Sequence, residues 1–194
     1  MSDSSRLRGR MRRLLPLLLL AVLVTALSAC GTKKDTTLHA ATEGTYLDLG
    51  PMKYQVQISR LLNPTDREDR EYFAGLPAGQ KLGPGEQWFA VFVRVQNESG
   101  KPQPAADQYA IKDTQGTIFR PITMGKENLY AYRGGTVGPH QLIPVPDTTA
   151  AQSTIQGSLL LFKIPVKNFE NRPLELEIDN SSIPNKTASV DLDV

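Results

Sequence analysis

The sequence predicts an all-β domain, either two packed antiparallel sheets or a barrel. Three observations carry this. The apolar residues beyond position 44 recur with a period of two, as in Tyr54, Val56 and Ile58 against Gln55, Gln57 and Ser59. Short apolar runs are separated by clusters of Gly, Pro, Asn and Asp, and no amphipathic helical period follows the N-terminal segment. The chain holds 14 prolines, and Pro121, Pro144, Pro146 and Pro165 fall at expected strand ends, where a missing N–H costs no ladder bond.

The N-terminus reads as an address. Arg6, Arg8, Arg10, Arg12 and Arg13 form a positive head, and residues 14–27 are apolar apart from Pro16 and Thr25. Ser28, Ala29 and Cys30 close the run. Positive head, apolar run and small residues are the plan of an export signal. The run is shorter than the roughly 20 apolar residues that span a bilayer. Leu27-Ser28-Ala29-Cys30-Gly31 resembles the lipobox of bacterial lipoproteins. The resemblance implies cleavage before Cys30 and a diacylglycerol group on its thiol. Two acyl chains give a stable anchor where one is marginal. Cys30 is the only cysteine, so the domain has no internal disulfide and must hold by apolar burial. Arg12-Arg13 also resembles a twin-arginine export motif, and the export route stays open.

Residues 1–29 are therefore assigned to the signal, 30–44 to the lipidated cysteine and a polar, threonine-rich tether, and 45–194 to the β-domain. As a random coil the tether would reach roughly 20 Å. Strands are expected at residues 54–58, 88–95, 109–111, 117–119, 129–132, 141–145, 158–164, 174–178 and 189–192. In the strongest, Phe89, Val91, Val93 and Val95 share one face, and Trp88, Ala90, Phe92 and Arg94 share the other. Two apolar faces mark a central strand. Asp113-Thr114-Gln115-Gly116 connects two strands, with Gly116 free to take positive φ. Residues 63–85 are charged, rich in Gly and Pro, and longer than an ordinary connection, which marks a functional or mobile loop.

Three segments carry a family resemblance: Gln87–Asn97, Ile111–Pro121 and Gly157–Pro165. In this order they resemble a family of bacterial secreted lipoproteins catalogued as a domain of unknown function. That family has a telokin-like, immunoglobulin-like antiparallel β-sandwich and is related to mycobacterial secreted immunogenic proteins. The resemblance covers residues 46–178 and implies the fold and an extracytoplasmic setting. It brings no catalytic residues. The chain departs from the family pattern in the long 63–85 segment and in placing Pro84-Gly85-Glu86 before Trp88.

Composition excludes several functions. Residues 1–29 hold five arginines and Asp3, so removing them takes the net charge from +2 to −2. No net positive field remains to bind nucleic acid. Catalytic motifs are missing: there is no Gly-x-Ser-x-Gly elbow and no phosphate loop. His39 falls in the tether and His140 in a Gly-Pro turn. Two distant histidines give no expected metal site and no cofactor beyond the lipid. Asp66, Glu68, Asp69 and Glu71 cluster, but Arg67 and Arg70 among them oppose a bound cation. Aromatic residues and arginines suit partner recognition. Asp66, Arg67, Arg70, Tyr72 and Phe73 are thus the candidate partner-binding residues, with Tyr130, Tyr132 and Arg133 a second group. Against this stands a reading in which Phe73 and Leu76 fold back onto the sandwich and the tyrosines pack on its face. The sequence points to a non-enzymatic binding module at the outer side of a bacterial membrane, held there by its lipid and facing an envelope protein. An accessory structural lipoprotein and an unrecognised hydrolase are the alternatives.

Overall fold

The computed structural model describes residues 36–194, so the signal segment and Cys30 lie outside the described residues. Thr36–Val194 form one compact unit. Twelve strands run through it: β1 (His39–Ala40), β2 (Tyr46–Leu49), β3 (Met52–Leu62), β4 (Glu86–Asn97), β5 (Gln103–Pro104), β6 (Gln108–Lys112), β7 (Ile118–Phe119), β8 (Thr136–Val137), β9 (Leu142–Ile143), β10 (Ser158–Pro165), β11 (Leu174–Asp179) and β12 (Thr187–Leu192). One sheet has the order β1-β12-β11-β6-β7 and the other β10-β4-β3-β2, with β9 added at the end of β4. The pairings are antiparallel except β1 beside β12. The fold is an antiparallel β-sandwich.

Alternation places the core. Met52, Tyr54 and Val56 meet Phe89, Val91, Val93 and Val95 from one sheet, and Ile111, Leu174, Leu176, Ile178, Val190 and Leu192 face them from the other. The Tyr54 hydroxyl is satisfied inside this core by the Ala106 N–H at 2.8 Å. Burial pushes the Tyr54 phenol up to about 12.

The second face of β4 is also covered. Trp88, Ala90 and Phe92 join Leu62, Tyr72, Met124, Tyr130, Ala150, Leu159 and Leu161 in a separate buried cluster. Its cover comes from the long connections, including the short helix α1 (Thr149–Gln152) and the 3₁₀ turn Arg70–Phe73. The two apolar faces expected of the central strand are thus each buried, one between the sheets and one beneath loops.

Four expectations change in detail. The β3 ladder shifts between Val56 and Ile58, so Ile58 leaves the face of Tyr54 and Val56. Ile58 is exposed and Ser59 is buried. The strand expected at residues 129–132 reduces to a single bridge, Ala131 to Leu159. There the Asn128 side chain takes the Tyr130 and Ala131 N–H groups at 2.9 and 2.8 Å, in competition with a ladder. The strand expected at 141–145 is only Leu142–Ile143. Residues 36–44, expected within the tether, fold with the sandwich. Thr37 N–H donates to Asp48 Oδ2 at 3.1 Å, Ala40 is buried, and Glu43 accepts from Ser59 N–H at 2.9 Å and Asp193 N–H at 3.1 Å. Leu38 and Ala40 supply the alternate apolar contacts that fix this stretch on the core.

Candidate functional site

The 63–85 segment is built as a wall. Asp69 is 2% exposed, accepts from the Asn63 N–H at 2.8 Å and pairs with Arg60 Nη2 at 2.7 Å. This fixes the chain leaving β3. The following 3₁₀ turn points Tyr72 inward, edge-on to Phe92 at 5.0 Å and to Tyr130 at 4.8 Å between ring centroids. Phe73 meets Trp88 edge-on at 5.7 Å. Asn128 then staples the turn to the opposite connection, donating to Tyr72 O at 2.8 Å and Ala74 O at 2.9 Å. Gly75 sits at φ +68°, and a Cβ there would stand 3.1 Å from Gly125 Cα, so both conformation and close approach require glycine.

A cleft of about 840 Å³ opens beside this wall, lined by Arg60, Arg67, Glu68, Glu71, Tyr72, Tyr130 and residues 152–155. Tyr130 OH donates to Glu71 Oε2 at 2.6 Å. That bond, with burial second, pushes the Tyr130 phenol up to about 12. The cleft carries both charge signs, with Arg67 and Glu68 exposed at its rim.

The candidate residues separate. Arg67 and Tyr72 line the cleft, Arg67 exposed and Tyr72 mostly buried. Phe73 packs toward Trp88 instead. Asp66 shapes the local turn, accepting from the Glu68 N–H at 3.0 Å, and Arg70 is exposed. Tyr130 belongs to the same cleft, although the sequence puts it with Tyr132 and Arg133. Arg60 and residues 152–155 escaped the sequence reading, because nothing local marks them as neighbours of residue 67.

Tyr132 and Arg133 line a different cavity of about 370 Å³ with Tyr109 and Asp107. Tyr132 OH donates to Ala106 O at 2.9 Å, and its ring meets Tyr109 edge-on at 4.9 Å. Burial raises both phenols. Arg133 donates to Met124 O at 2.9 Å and to Gly125 O. His140 is exposed in the turn between Gly138 and Gln141, at φ 58°.

No family model matches the chain, and no curated protein does. Several solved structures align with the chain at low identity. The yjhA protein of Bacillus subtilis aligns at 13% identity over 79% of this chain and 99% of its own, with a TM-score of 0.49. The secreted protein MPT63 of Mycobacterium tuberculosis aligns at 14% identity over 83% of this chain and 100% of its own, with a TM-score of 0.45. An uncharacterized beta-sandwich protein of Clostridium difficile aligns at 8% identity over 84% and 99%, with a TM-score of 0.43. None of the three is named for an enzymatic activity.

Proposed function

We propose that this protein is a non-enzymatic binding module, held on the outer face of a bacterial membrane by a diacylglycerol group on Cys30. We assign its recognition surface to the cleft beside residues 63–85 and its partner to the proteins of the envelope. One observation carries this reading. Arg67 and Glu68 stand exposed on a wall that Tyr72, Asp69 and Asn128 hold in place. A rigid wall lets charged side chains present a fixed pattern without a large ordering cost on binding. Arginine and tyrosine together suit a protein surface, and paired signs of charge give a partner its register.

Deleting the loop is a poor test, since Tyr72 and Leu76 belong to the second core. The test is the double charge reversal Arg67→Glu with Glu68→Lys, in the chain expressed in its own membrane. After crosslinking on intact cells, the partner captured by the native chain should be lost, with the melting temperature unchanged. Capture at the native level would refute the cleft. Cys30→Ser separately tests the anchor: the protein should leave the membrane fraction, and retention there would refute lipid anchoring.

A further inference from the structure

Three side chains far apart in the sequence meet on the outer face of the β1–β12–β11 edge. His39 of β1 stands in register with Ser189 of β12, and Asp191 follows on the same face two residues later. Glu175 of β11 lies directly opposite Asp191. The intervening residues of those strands, Val190 and Leu176, point into the core. One donor atom from each of His39, Glu175 and Asp191 falls within 4.8 Å of the other two. His39 Nδ1 is 3.5 Å from Glu175 Oε1.

Charge makes this grouping more than a coincidence of neighbours. Like charges directly opposite on an antiparallel pair are destabilising. The lysine in register with Glu175 on its other side is Lys112 of β6, and its ammonium goes to Glu177 Oε1 at 3.7 Å. His39 reaches Glu175 directly, and Asp191 stands within 4.8 Å of both.

We propose that His39, Glu175 and Asp191 form a site for a divalent cation of the zinc class. Two donors bound to zinc at about 2.1 Å in a tetrahedron stand roughly 3.4 Å apart. The Nδ1–Oε1 separation of 3.5 Å is already close to that value. The Asp191 carboxylate, within 4.8 Å of the other two donors, closes the set by moving at most about 1.4 Å, and water takes the fourth position. The imidazole selects the class, since calcium and magnesium take oxygen ligands alone. Binding transfers Nδ1 from Ser189 Oγ, 3.0 Å away, to the cation. The consequence is mechanical: the two-residue strand β1 becomes clamped to β12 and β11. The inference is independent of the cleft reading.

The test is a calorimetric titration of zinc chloride into the full chain, with thermal unfolding in zinc, calcium or magnesium. One equivalent of zinc should bind and raise the melting temperature, and calcium and magnesium should do neither. His39→Ala, at an exposed side chain, should abolish binding without unfolding the protein. Glu175→Gln and Asp191→Asn should each weaken it at least ~10-fold, since loss of a partner one shell further out already costs about 10–100-fold. Asp191→Asn should also raise the metal-free melting temperature, because the opposed charges are gone. His140→Asn, at the other histidine, should bind as the native chain does. No zinc binding by the native chain, equal affinity in His39→Ala, or an equal response to calcium would overturn the proposal.

Discussion

Asn128 is the residue whose loss should tell most about how the second core is held. It is 3% exposed and makes four hydrogen bonds, to Tyr72 O, Ala74 O, Tyr130 N–H and Ala131 N–H. Alanine removes all four and leaves two carbonyls and two N–H groups short of partners. At about 1 kcal/mol net for each bond, Asn128→Ala should cost ~4 kcal/mol. Against a stability of about 5–15 kcal/mol for an ordinary domain, that is a large share. With a urea slope of about 2 kcal/mol/M the midpoint should fall by ~2 M. Urea unfolding followed by Trp88 fluorescence measures this, because the indole lies in the same cluster. Amide exchange should also quicken at Tyr72 and Leu76, whose N–H groups bond to Asp69 O and Phe73 O in the turn. A loss below ~1 kcal/mol, outside the range implied by four such bonds, would show that the wall stands without its staple.

Two further predictions concern packing and charge. An ideal Cβ on Gly157 would lie 3.0 Å from Phe92 Cβ and 3.1 Å from Phe92 C, so Gly157→Ala should cost about 1–3 kcal/mol in the same urea assay, and a neutral result would refute the crowding. The Asp113 carboxylate accepts from Gln115 and Thr117 N–H groups and from the Asn168 and Asn171 side-chain amides. Burial by itself would raise its pKa, but these bonds outweigh burial and hold it below the usual carboxylate range. A depressed pKa contributes stability that is complete above the ordinary carboxyl value of about 4 and is lost as pH falls through the folded value. Asp113→Asn should therefore melt lower than the native chain at pH 7, with the gap narrowing below about pH 4. Calorimetric scans that show a gap independent of pH would refute it.

How much of this was legible depends on the range of each interaction. The two apolar faces of residues 88–95 were readable, because alternation is a property of one strand. The turn at Asp113–Gly116 was readable too: Gly116 N–H donates to Asp113 O at 2.9 Å and takes φ +82°. The bulge after Val56 was not. It is a shift in how β3 pairs with β4, a property of two strands that the alternation within one does not carry. His39 was misplaced for a related reason. Residues 36–44 are polar enough to read as tether, and their fold rests on Asp48, Ser59 and β12, which composition does not reveal. The cleft lay between these cases. Its arginine and aromatic residues stood out locally, but the split of Tyr72 from Arg67 needed the surface beneath them.

That split follows from the central strand. β4 is apolar on both faces, yet only one face meets the second sheet. The other face must be covered or remain an exposed apolar patch, a liability for aggregation. The 63–85 segment supplies part of the cover with Tyr72, Phe73 and Leu76, and those side chains are thereby withdrawn from solvent. Recognition through this segment is left to the side chains that its inward anchors turn outward, Arg67 and Glu68 at the cleft and Arg70 beside it. On the proposed reading, the residues that withdraw the aromatic groups from a partner also fix the backbone that carries the charged ones. A partner that reads charge should therefore be sensitive to Arg67→Glu, while substitutions at Tyr72 should act on binding only through the loss of the wall.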